Sequence, residues 1–504
     1  MKILVANRGE IAVRILRACR EMGVPSVAVY SDCDRTAVHV RQADEAVAIG
    51  PSPAAESYLN IDRVLAAARD TDSTAVHPGY GFLAENAAFA RACRDAKLNF
   101  IGPDPAVIET MGGKTTARQA AIDAGVPVVP GTEALAGALS DDELRGRAEK
   151  IGFPLFIKAV AGGGGRGMRR VGDRGSVVAG VEAARSEAGA AFGESTVYFE
   201  RLVESARHVE VQVLGDQHGT IVPFVERECS VQRRHQKVIE ESPSVAVTPA
   251  IRIALAEAAM ALASAVNYSS AGTLEFLLDP DGCFYFLEMN TRLQVEHPVT
   301  EWVTGIDLVQ WQIRIARGEL LAIDRDQALN PTGHAVECRV YAEDPDAGFV
   351  PAPGRITSLR GPSGPGVRDD SGVEAGFEVP VFYDSMISKV STWARDRGEA
   401  IVRMERALRE YQIGGITTVI PALLWVLKQD AFLHGNFDTG FLDRALVERA
   451  GRSFSELTDE QVDLAMMTAA LFTYLSATDV KHASGEGAAA TPWQRAARLG
   501  GLRH

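Results

Sequence analysis

Short apolar runs and amphipathic stretches alternate along the first hundred residues. The run KILVA is followed by EIAVRILRACREMG, where Ile11, Ile15 and Leu16 recur at helical spacing before Gly23. Further strand patterns, SVAVYS, STAVHPGYG and NFIG, alternate with the helix patterns YLNIDRVLAAARD and NAAFARACRDAK. Strands that alternate with helices of this length predict a parallel sheet covered by helices, which is an α/β fold. The first turn, ANRGEI, has one glycine and therefore lacks the dinucleotide-binding G-x-G-x-x-G pattern.

A glycine-rich segment interrupts the second predicted unit, which begins near residue 130. The strand pattern FPLFIKAV is followed by AGGGGRGMRRV, so two strands are predicted to be joined by a loop of glycines. Such a loop exposes several backbone N–H groups, which suit the oxygens of a polyphosphate. A flexible linker is the alternative, although apolar strands adjoin both ends. A Walker A loop is excluded because that motif joins a strand to a helix, and MGGKTT at 111–116 lacks its first glycine.

Hairpin patterns dominate the stretch from 204 to about 333. In AGTLEFLLDPDGCFYFLEMN, a four-residue turn at DPDG would place Glu275 opposite Phe286. Side chains two residues apart on a strand share a face, so Glu275, Glu288 and Asn290 are expected to point the same way. Two carboxylates and an amide oxygen suit Mg²⁺ that bridges phosphates. A solvated strand face that carries acids by chance is an equal alternative.

Two more segments concentrate polar groups. The run RECSVQRRHQK at 227–237 is basic in an otherwise acidic protein. A solvated face or a nucleic-acid patch is the usual interpretation of such a run, but no interleaved aromatic side chains support base stacking, so an anion site is predicted. In NTRLQVEHPVT, the residues Arg292, Gln294 and Glu296 are expected to alternate onto one face, which combines a cation, an amide and a base. His297 lies off that face and is expected to be structural.

Composition narrows the class of protein. The chain has 504 residues, and a prior of about 150 residues per domain predicts three or four domains. A formal net charge of −14 argues against a broad nucleic-acid surface. The longest apolar runs are far shorter than the roughly 20 residues that span a bilayer, so no membrane association is expected. Six cysteines without a CxxC pair, and an N-terminus unlike a signal peptide, predict reduced thiols and a cytoplasmic protein.

Seven segments together resemble biotin carboxylase of the ATP-grasp superfamily. They are ANRGEIAVRILRA, HPGYGFLAEN, KAVAGGGGRGM, RHVEVQVL, ERECSVQRRHQKV, LEMNTRLQVEHPVTE and HAVECRVYAEDP, in this order over about residues 1–446. The resemblance implies a Rossmann-like pre-ATP-grasp domain at 1–115, a mobile lid at 130–203, the ATP-grasp core at 204–333, a C-terminal biotin carboxylase α+β domain at 334–446, and a short helical tail at 447–504.

The resemblance also implies residue roles by position. ATP would be bound by Lys114, Lys158, Gly162, Gly163, Gly164, Gly165, Arg166, Gly167, His208, Gln232 and His235, with Glu200, Arg201 and Val203 in the adenine segment. Mg²⁺ or Mn²⁺ would be bound by Glu275, Glu288 and Asn290. Bicarbonate would bind Arg292, Gln294 and Val295, with Glu296 as the general base and Lys237 reaching both bicarbonate and the γ-phosphate. Arg339 would stabilise the biotin enolate, beside Tyr80. Arg201 departs from the lysine that many relatives have there.

The implied activity is that of an ATP-dependent carbon–nitrogen ligase that carboxylates carrier-bound biotin with bicarbonate through carboxyphosphate. The implied assembly is a homodimer that serves an acetyl-CoA or propionyl-CoA carboxylase of fatty acid biosynthesis. Its implied partners are a biotin carboxyl carrier protein and a carboxyltransferase subunit. No AMKM-type segment is present, so biotin must arrive on another chain.

Several alternatives stay open. One is the corresponding subunit of a two-subunit pyruvate carboxylase, and another is a ligase that joins an acyl phosphate to an amine, which RLQVEHPVT and Arg339 disfavour. A non-catalytic ATP-binding scaffold would have lost residues such as Glu296 and Lys237, which are present. The tail ATPWQRAARLGGLR resembles the segment C-terminal to this domain in larger biotin-containing subunits, which implies either a docking element or a frayed helical extension.

Overall fold

The computed structural model describes residues 1–135, 137, 139–160, 168–454 and 459–483. The chain divides into a first unit, Met1–Arg452, and a second unit, Ser453–His504. The predicted phosphate loop, with Gly162, Gly163, Gly164, Gly165, Arg166 and Gly167, lies outside the described residues, and so does the end of the tail.

The first hundred residues form a five-stranded parallel sheet with helices, as the alternating pattern predicts. Its elements are β1 (Ile3–Val5), α1 (Gly9–Glu21), β2 (Ser26–Ser31), α2 (Val38–Gln42), β3 (Glu45–Gly50), α3 (Ile61–Asp70), β4 (Ala75–His77), α4 (Ala87–Asp95) and β5 (Asn99–Phe100). The strand order is β3-β2-β1-β4-β5, with every pair parallel. The sequence pattern did not predict β3, which lies at the sheet edge, where most of its side chains are exposed or half-buried and a clear apolar period is missing.

The next segment forms a small antiparallel sheet packed on two helices. This segment begins with the helices α5 (Pro105–Gly112) and α6 (Lys114–Asp123). The sheet and the two helices packed on it follow: α7 (Asp141–Ile151), β6 (Leu155–Ala159), β7 (Met168–Val171), α8 (Val177–Phe192) and β8 (Val197–Arg201). The order is β7-β6-β8, and Lys158 pairs with Met168 across the predicted glycine hairpin. The glycine-rich segment therefore does join two antiparallel strands. Ile157 and Phe199 are fully buried among the apolar side chains of α7 and α8.

A nine-stranded sheet forms the centre of the first unit. Its strands and neighbouring helices are β9 (Arg207–Gly215), β10 (Ile221–Pro223), β11 (Arg227–Arg233), β12 (Gln236–Ser242), α9 (Pro249–Ala265), β13 (Ser270–Leu278), β14 (Phe284–Asn290), α10 (His297–Thr304), α11 (Leu308–Ala316), α12 (Arg325–Leu329) and β15 (His334–Tyr341). The remaining elements of this unit are β16 (Glu343–Asp344), β17 (Val350–Pro351), β18 (Gly354–Arg355), β19 (Ser358–Arg360), β20 (Val367–Ser371), β21 (Glu378–Val379), β22 (Met386–Ala394), α13 (Arg397–Glu410), β23 (Gln412–Gly414), α14 (Ile420–Val426), α15 (Asp430–Leu433) and α16 (Phe441–Arg449).

The order of this sheet is β14-β13-β9-β11-β12-β15-β22-β20, and β10 also pairs with β9. The pairing of β12 with β15, with Glu240 opposite Glu337, joins strands from both sides of residue 333. Residues of the predicted regions 204–333 and 334–446 therefore belong to one continuous sheet.

The hairpin of β13 and β14 has a different register from the predicted one. Glu275 lies opposite Glu288 rather than Phe286, because the register shifts by one residue between Glu275 and Phe276. This bulge turns Phe286 into the apolar core, where its ring meets that of Phe276 edge-on. The two acidic side chains consequently share one face, as predicted, but as a directly opposed pair.

The tail contains one long helix, α17 (Asp459–Ala483), as its alanine-rich pattern predicts. Large apolar side chains of this helix are exposed, including Leu464 (63%), Leu471 (58%) and Phe472 (72%). None of the helices in the described ranges is both long and apolar enough to cross a membrane.

The packing of Phe276 yields a stability prediction. Its side chain is fully buried, and its ring contacts those of Phe284 and Phe286 at centroid distances of 5.5 and 6.1 Å. Phe276→Ala is therefore expected to lower the free energy of unfolding by about 3–5 kcal/mol through the cavity it leaves. Urea denaturation followed by circular dichroism measures the change. The exposed Val402→Ala on α13 is the control, with an expected change within about 0.5 kcal/mol. Equal effects of the two substitutions would contradict this assignment of the core.

Candidate active site

A cleft of about 990 Å³ brings together residues from the N-terminal sheet, the small antiparallel sheet and the nine-stranded sheet. Nearly all predicted site residues in the described ranges line it: Tyr80, Lys114, Lys158, Glu200, Arg201, Val203, His208, Gln232, His235, Lys237, Glu275, Glu288, Asn290, Arg292, Gln294, Val295 and Arg339. Glu296 is fully buried and lies beneath the cleft surface, in contact with Lys237 and Arg339. The structure thus assembles one site from segments more than 250 residues apart in sequence, Tyr80 and Arg339 among them.

The ammonium group of Lys237 lies at the centre of this site. Its Nζ donates to Glu210 at 2.6 Å, Glu275 at 2.8 Å and Glu296 at 2.7 Å. Burial alone would lower the pKa of Lys237, but these three carboxylates outweigh it and raise the pKa well above its ordinary value. The sequence analysis assigned no role to Glu210, although it follows His208 by two residues on β9 and therefore shares its face of the strand.

The basic run at 227–237 is divided between two environments. Arg227 is fully buried and pairs with Glu210, while its other nitrogens donate to Gln212, Thr273 and Thr300 at 2.9–3.0 Å. The prediction of one anion site over the whole run is wrong for Arg227, because its guanidinium donates to buried side chains of the protein instead. Of the run's cationic residues, His235 and Lys237 are the ones that line the cleft.

The acidic hairpin forms one wall of the cleft. Asn290 and Gln294 donate their amide protons to Glu275 Oε1 at 2.9 and 3.0 Å, and His208 Nε2 lies 3.1 Å from Glu275 Oε2. Burial would raise the pKa of Glu275, but Lys237 and His208 outweigh it and hold the pKa below its ordinary value. Glu288 lines the cleft, where burial by the cleft walls and then the neighbouring carboxylate of Glu275 raise its pKa.

The donor set of this wall fits a hard divalent cation. Glu275, Glu288 and Asn290 offer carboxylate and amide oxygens here. Burial raises the pKa of Glu288, and the opposed carboxylate of Glu275 raises it further; a cation would relieve this second effect. A second group, His208, Glu210 and Glu275, places potential ligand atoms within 4.8 Å of one another. The ammonium group of Lys237 already contacts both carboxylates of that group, so it fills the position that an ion would need.

The segment from Arg292 to Glu296 does not continue the strand. β14 ends at Asn290, and a turn leads to α10, which begins at His297. The predicted alternation onto one face is therefore wrong, because alternation requires extended backbone. Arg292 reaches into the cleft and donates to Glu85 at 2.8 Å and to Gln294 at 3.0 Å, whereas Glu296 points beneath it. Glu85 lies in the segment HPGYGFLAEN, but the sequence analysis assigned it no role.

The carboxylate of Glu296 is held between two cations. Lys237 donates to its Oε1 at 2.7 Å, and Arg339 donates to its Oε2 at 3.0 Å. Burial would raise the pKa of Glu296, but Lys237, Arg339 and then Arg227 outweigh it and hold the pKa well below its ordinary value. Glu296 is thus an ionised carboxylate at neutral pH. His297 is fully buried against Gln294 O at 2.9 Å, and burial lowers its pKa well below the ordinary value, so it is neutral and structural, as predicted.

The predicted nucleotide residues also line the cleft. Lys158 pairs with Glu200 across β6 and β8, and His208 contacts Gln232 at 3.1 Å. Arg201 donates to the hydroxyl of Tyr285 at 2.9 Å, with its guanidinium 5.4 Å from the ring centroid. An arginine at this position is therefore already engaged by an aromatic side chain of β14.

Models of three protein families match successive parts of the chain. "Biotin carboxylase, N-terminal domain" matches residues 1–108, "Carbamoyl-phosphate synthase L chain, ATP binding domain" matches 113–324, and "Biotin carboxylase C-terminal domain" matches 337–444. The ATP-binding match and the two flanking matches confirm the predicted ATP-grasp enzyme architecture.

Individual relatives and solved structures agree with this match. A biotin carboxylase from Nostoc is 53% identical over 441 residues, covering 88% of this chain and 98% of the relative. A pyruvate carboxylase subunit from Methanothermobacter thermautotrophicus is 51% identical over 442 residues, covering 88% and 89%. A biotin carboxylase–β-γ-ATP complex from Campylobacter jejuni superposes with a TM-score of 0.83 at 45% identity, covering 88% of this chain and 98% of that one.

A second solved structure is the biotin carboxylase domain dimer of 2-oxoglutarate carboxylase from Hydrogenobacter thermophilus, in complex with MgADP, ADP and bicarbonate. It superposes with a TM-score of 0.83 at 43% identity, covering 90% of this chain and 98% of that one. Together, the family matches, the identities and the site geometry lead to one assignment: the chain belongs to the biotin carboxylase family of ATP-dependent ligases.

Proposed function

We propose that this chain carboxylates carrier-bound biotin, with bicarbonate and ATP as the other substrates and carboxyphosphate as the intermediate. The observation that carries the proposal is the environment of Glu296, which is fully buried and ionised between Lys237 and Arg339. Because it is ionised, this carboxylate is available to accept the proton of bicarbonate, and Lys237 and Arg339 beside it would attract the bicarbonate anion. Arg292 and Gln294 line the same part of the cleft and would orient bicarbonate, together with Val295.

The first chemical step joins bicarbonate to the γ-phosphorus of ATP. Glu296 removes the bicarbonate proton, the bicarbonate oxygen attacks, and ADP leaves. Lys237 is placed to stabilise the charge that develops between bicarbonate and the phosphoryl group, because its Nζ already contacts Glu296 on one side and Glu275 on the other. Glu275, Glu288 and Asn290 would hold Mg²⁺ or Mn²⁺, which neutralises phosphate charge when bound.

The second step transfers the carboxyl group to biotin. Carboxyphosphate breaks down to CO₂ and phosphate, phosphate takes the N1 proton of biotin, and the nitrogen attacks CO₂. Arg339 lines the cleft next to Glu296 and would stabilise the biotin enolate with its positive charge. Tyr80 lines the same cleft and would border biotin, with its ring 5.7 Å from Lys389 Nζ.

The remaining predicted contacts belong to ATP. Lys114 begins α6, and burial lowers its pKa, although it lines the cleft opposite Glu288. We assign Lys114 and Lys158 to the phosphates, together with the glycine loop at 162–167. The adenine contacts are assigned to Glu200, Arg201 and Val203, with His208, Gln232 and His235 nearby. Because Arg201 is already paired with Tyr285, its contact with adenine would use the face of the guanidinium turned away from that ring.

We further propose the domain division at 1–115, 130–203, 204–333, 334–446 and 447–504, with 130–203 as a lid that closes on ATP. Closure would exclude water from carboxyphosphate. The proposed assembly is a cytoplasmic homodimer that works with a biotin carboxyl carrier protein and a carboxyltransferase. A solved relative, the Hydrogenobacter thermophilus domain, is described as a dimer, which supports this proposal.

The proposed acceptor is acetyl-CoA or propionyl-CoA, and pyruvate is the second candidate. Several relatives are named simply biotin carboxylase, whereas others are named as subunits of pyruvate carboxylase and of methylcrotonoyl-CoA carboxylase. Mixing the full chain with biotinylated carrier and each carboxyltransferase in turn, and measuring fixation of labelled bicarbonate into each acceptor, distinguishes these candidates.

Replacing the buried base tests the proposed reaction. Purified protein with MgATP is expected to release ADP only when bicarbonate is present, and faster when free biotin is added. Glu296→Gln should reduce this turnover by about 10²–10⁴-fold, the usual contribution of a general base. The exposed Glu257→Gln on α9 is the matched control and should keep the wild-type rate. Turnover that does not depend on bicarbonate would contradict the assignment of Arg292 to Glu296.

Replacing one acidic side chain of the hairpin tests the cation site. Glu288→Gln is expected to raise the Mg²⁺ concentration for half-maximal ADP release by about tenfold or more, since it removes a ligand charge. Binding of Mn²⁺ in the presence of a non-hydrolysable ATP analogue, followed by electron paramagnetic resonance, should weaken in parallel. An unchanged Mn²⁺ affinity would exclude Glu288 as a ligand, and Glu257→Gln again serves as the control.

A further inference from the structure

Glu240 and Glu337 form a pair of acidic side chains beneath Arg339 that the proposed mechanism does not use. They are directly opposed on the neighbouring antiparallel strands β12 and β15, and both are fully buried. Opposed residues of such strands have Cβ atoms about 4.5–5.5 Å apart, so the two carboxyl groups can reach each other. Arg339 follows Glu337 by two residues on the same face and donates through Nε to Glu240 Oε1 at 2.6 Å.

Three of the four carboxyl oxygens in this pair have no hydrogen-bond partner within the described parts of the chain. They are Glu240 Oε2 and both oxygens of Glu337. Two buried carboxylates in this arrangement would repel each other without compensation. One shared proton removes the repulsion, because a protonated carboxyl group donates its O–H to the remaining carboxylate.

The neighbouring cations offset this repulsion only in part: Arg339 contacts Glu240, whereas Lys389 lowers the pKa of Glu337 without donating to either of its oxygens. Lys389, opposite Arg339 on β22, donates to Val295 O and lies 3.5 Å from Glu10. Lys237 on β12 donates to other carboxylates, and Glu296, before α10, adds a further negative charge near Arg339. Cys338 lies in the apolar cluster on the opposite face of β15.

The titration behaviour is consistent with a retained proton. Burial raises the pKa of Glu240 to about 7, despite the opposing effect of Arg339. Burial also raises the pKa of Glu337 well above its ordinary value; Lys389 opposes this shift, and Glu240 adds to it.

We propose that Glu240 and Glu337 share one proton at neutral pH and that this protonated pair positions Arg339 for the biotin step. The inference rests on the proposed role of Arg339. With the proton present, Arg339 contacts one negative charge behind it and the carboxylate of Glu296 beside it. Loss of the proton adds a second negative charge behind the guanidinium. That charge draws the guanidinium toward the sheet and away from the biotin enolate.

The proton itself is tested by infrared spectroscopy of the full chain between pH 6 and 9. The wild-type protein should show a carbonyl band of a protonated carboxyl group that shifts in D₂O and disappears as pH rises. Glu337→Gln should lack the component of this band that the pair contributes, because Glu240 then ionises beside Arg339. Burial raises the pKa of Glu10 to about 7, so its own component should stay in the variant and cancel in the difference spectrum against wild type. Glu240→Gln should retain the component of the pair, because Glu337 keeps its proton beside a neutral amide. A wild-type spectrum without such a titrating band overturns the proposal, and this measurement needs no variant to fold.

The positioning role is tested by the pH dependence of kcat for biotin carboxylation. In the wild-type protein, kcat is expected to fall at alkaline pH together with the infrared band. In Glu337→Gln, the amide stands in for the protonated acid, and the alkaline fall should move upward by about one pH unit or more. Identical profiles for wild type, Glu337→Gln and the control Glu257→Gln would show that the pair does not position Arg339. Absence of biotin-dependent turnover in the wild type would instead contradict the proposed function, while the infrared result would still report on the pair.

Discussion

The contact of one ammonium group with three buried carboxylates is the interaction on which the site depends. Without Lys237, the carboxylates of Glu210, Glu275 and Glu296 would face one another with too little positive charge, in surroundings that strongly disfavour ionised groups. Through its contacts with Glu275 and Glu296, the same ammonium group connects the proposed cation site with the proposed general base. Arg227 supports it from below by pairing with Glu210. The chemistry and the stability of this region therefore rest on the same ion pairs.

The shared face of the acidic hairpin could be predicted from the sequence for a reason that does not require the correct register. The true pairing places Leu278 opposite Phe284, one residue further than a four-residue DPDG turn implies, and the bulge after Glu275 adds one more. Two shifts of one residue restore the original alternation. The side chains thus face the same way, although the opposite partner of Glu275 is Glu288 and not Phe286.

Other parts of the site could not be predicted, because they depend on packing between distant segments. Glu85 contacts Arg292 across more than 200 residues, and its segment HPGYGFLAEN does not show by its pattern which distant residue Glu85 meets. The basic run looked uniform in sequence, yet Arg227 is buried in ion pairs while His235 lines the cleft. The turn after Asn290 likewise ends the strand before Arg292, Gln294 and Glu296, which were predicted to alternate along it. The hydrophobic period of a sequence predicts one helix or strand at a time, whereas the surroundings of these side chains depend on which distant elements pack together.

The continuous nine-stranded sheet has a consequence for how such a protein can be used. Lys237, Glu275 and Arg339 all lie on strands of this one sheet. Glu296 accepts hydrogen bonds from Lys237 on β12 and from Arg339 on β15. The groups proposed to act on bicarbonate and on biotin are thus supplied within one chain and fixed relative to one another. The proposed mechanism uses no group from the molecule that finally receives the carboxyl group. The proposed reaction therefore allows the same chain to be combined with different acceptor-specific partners while the chemistry at its own site stays the same.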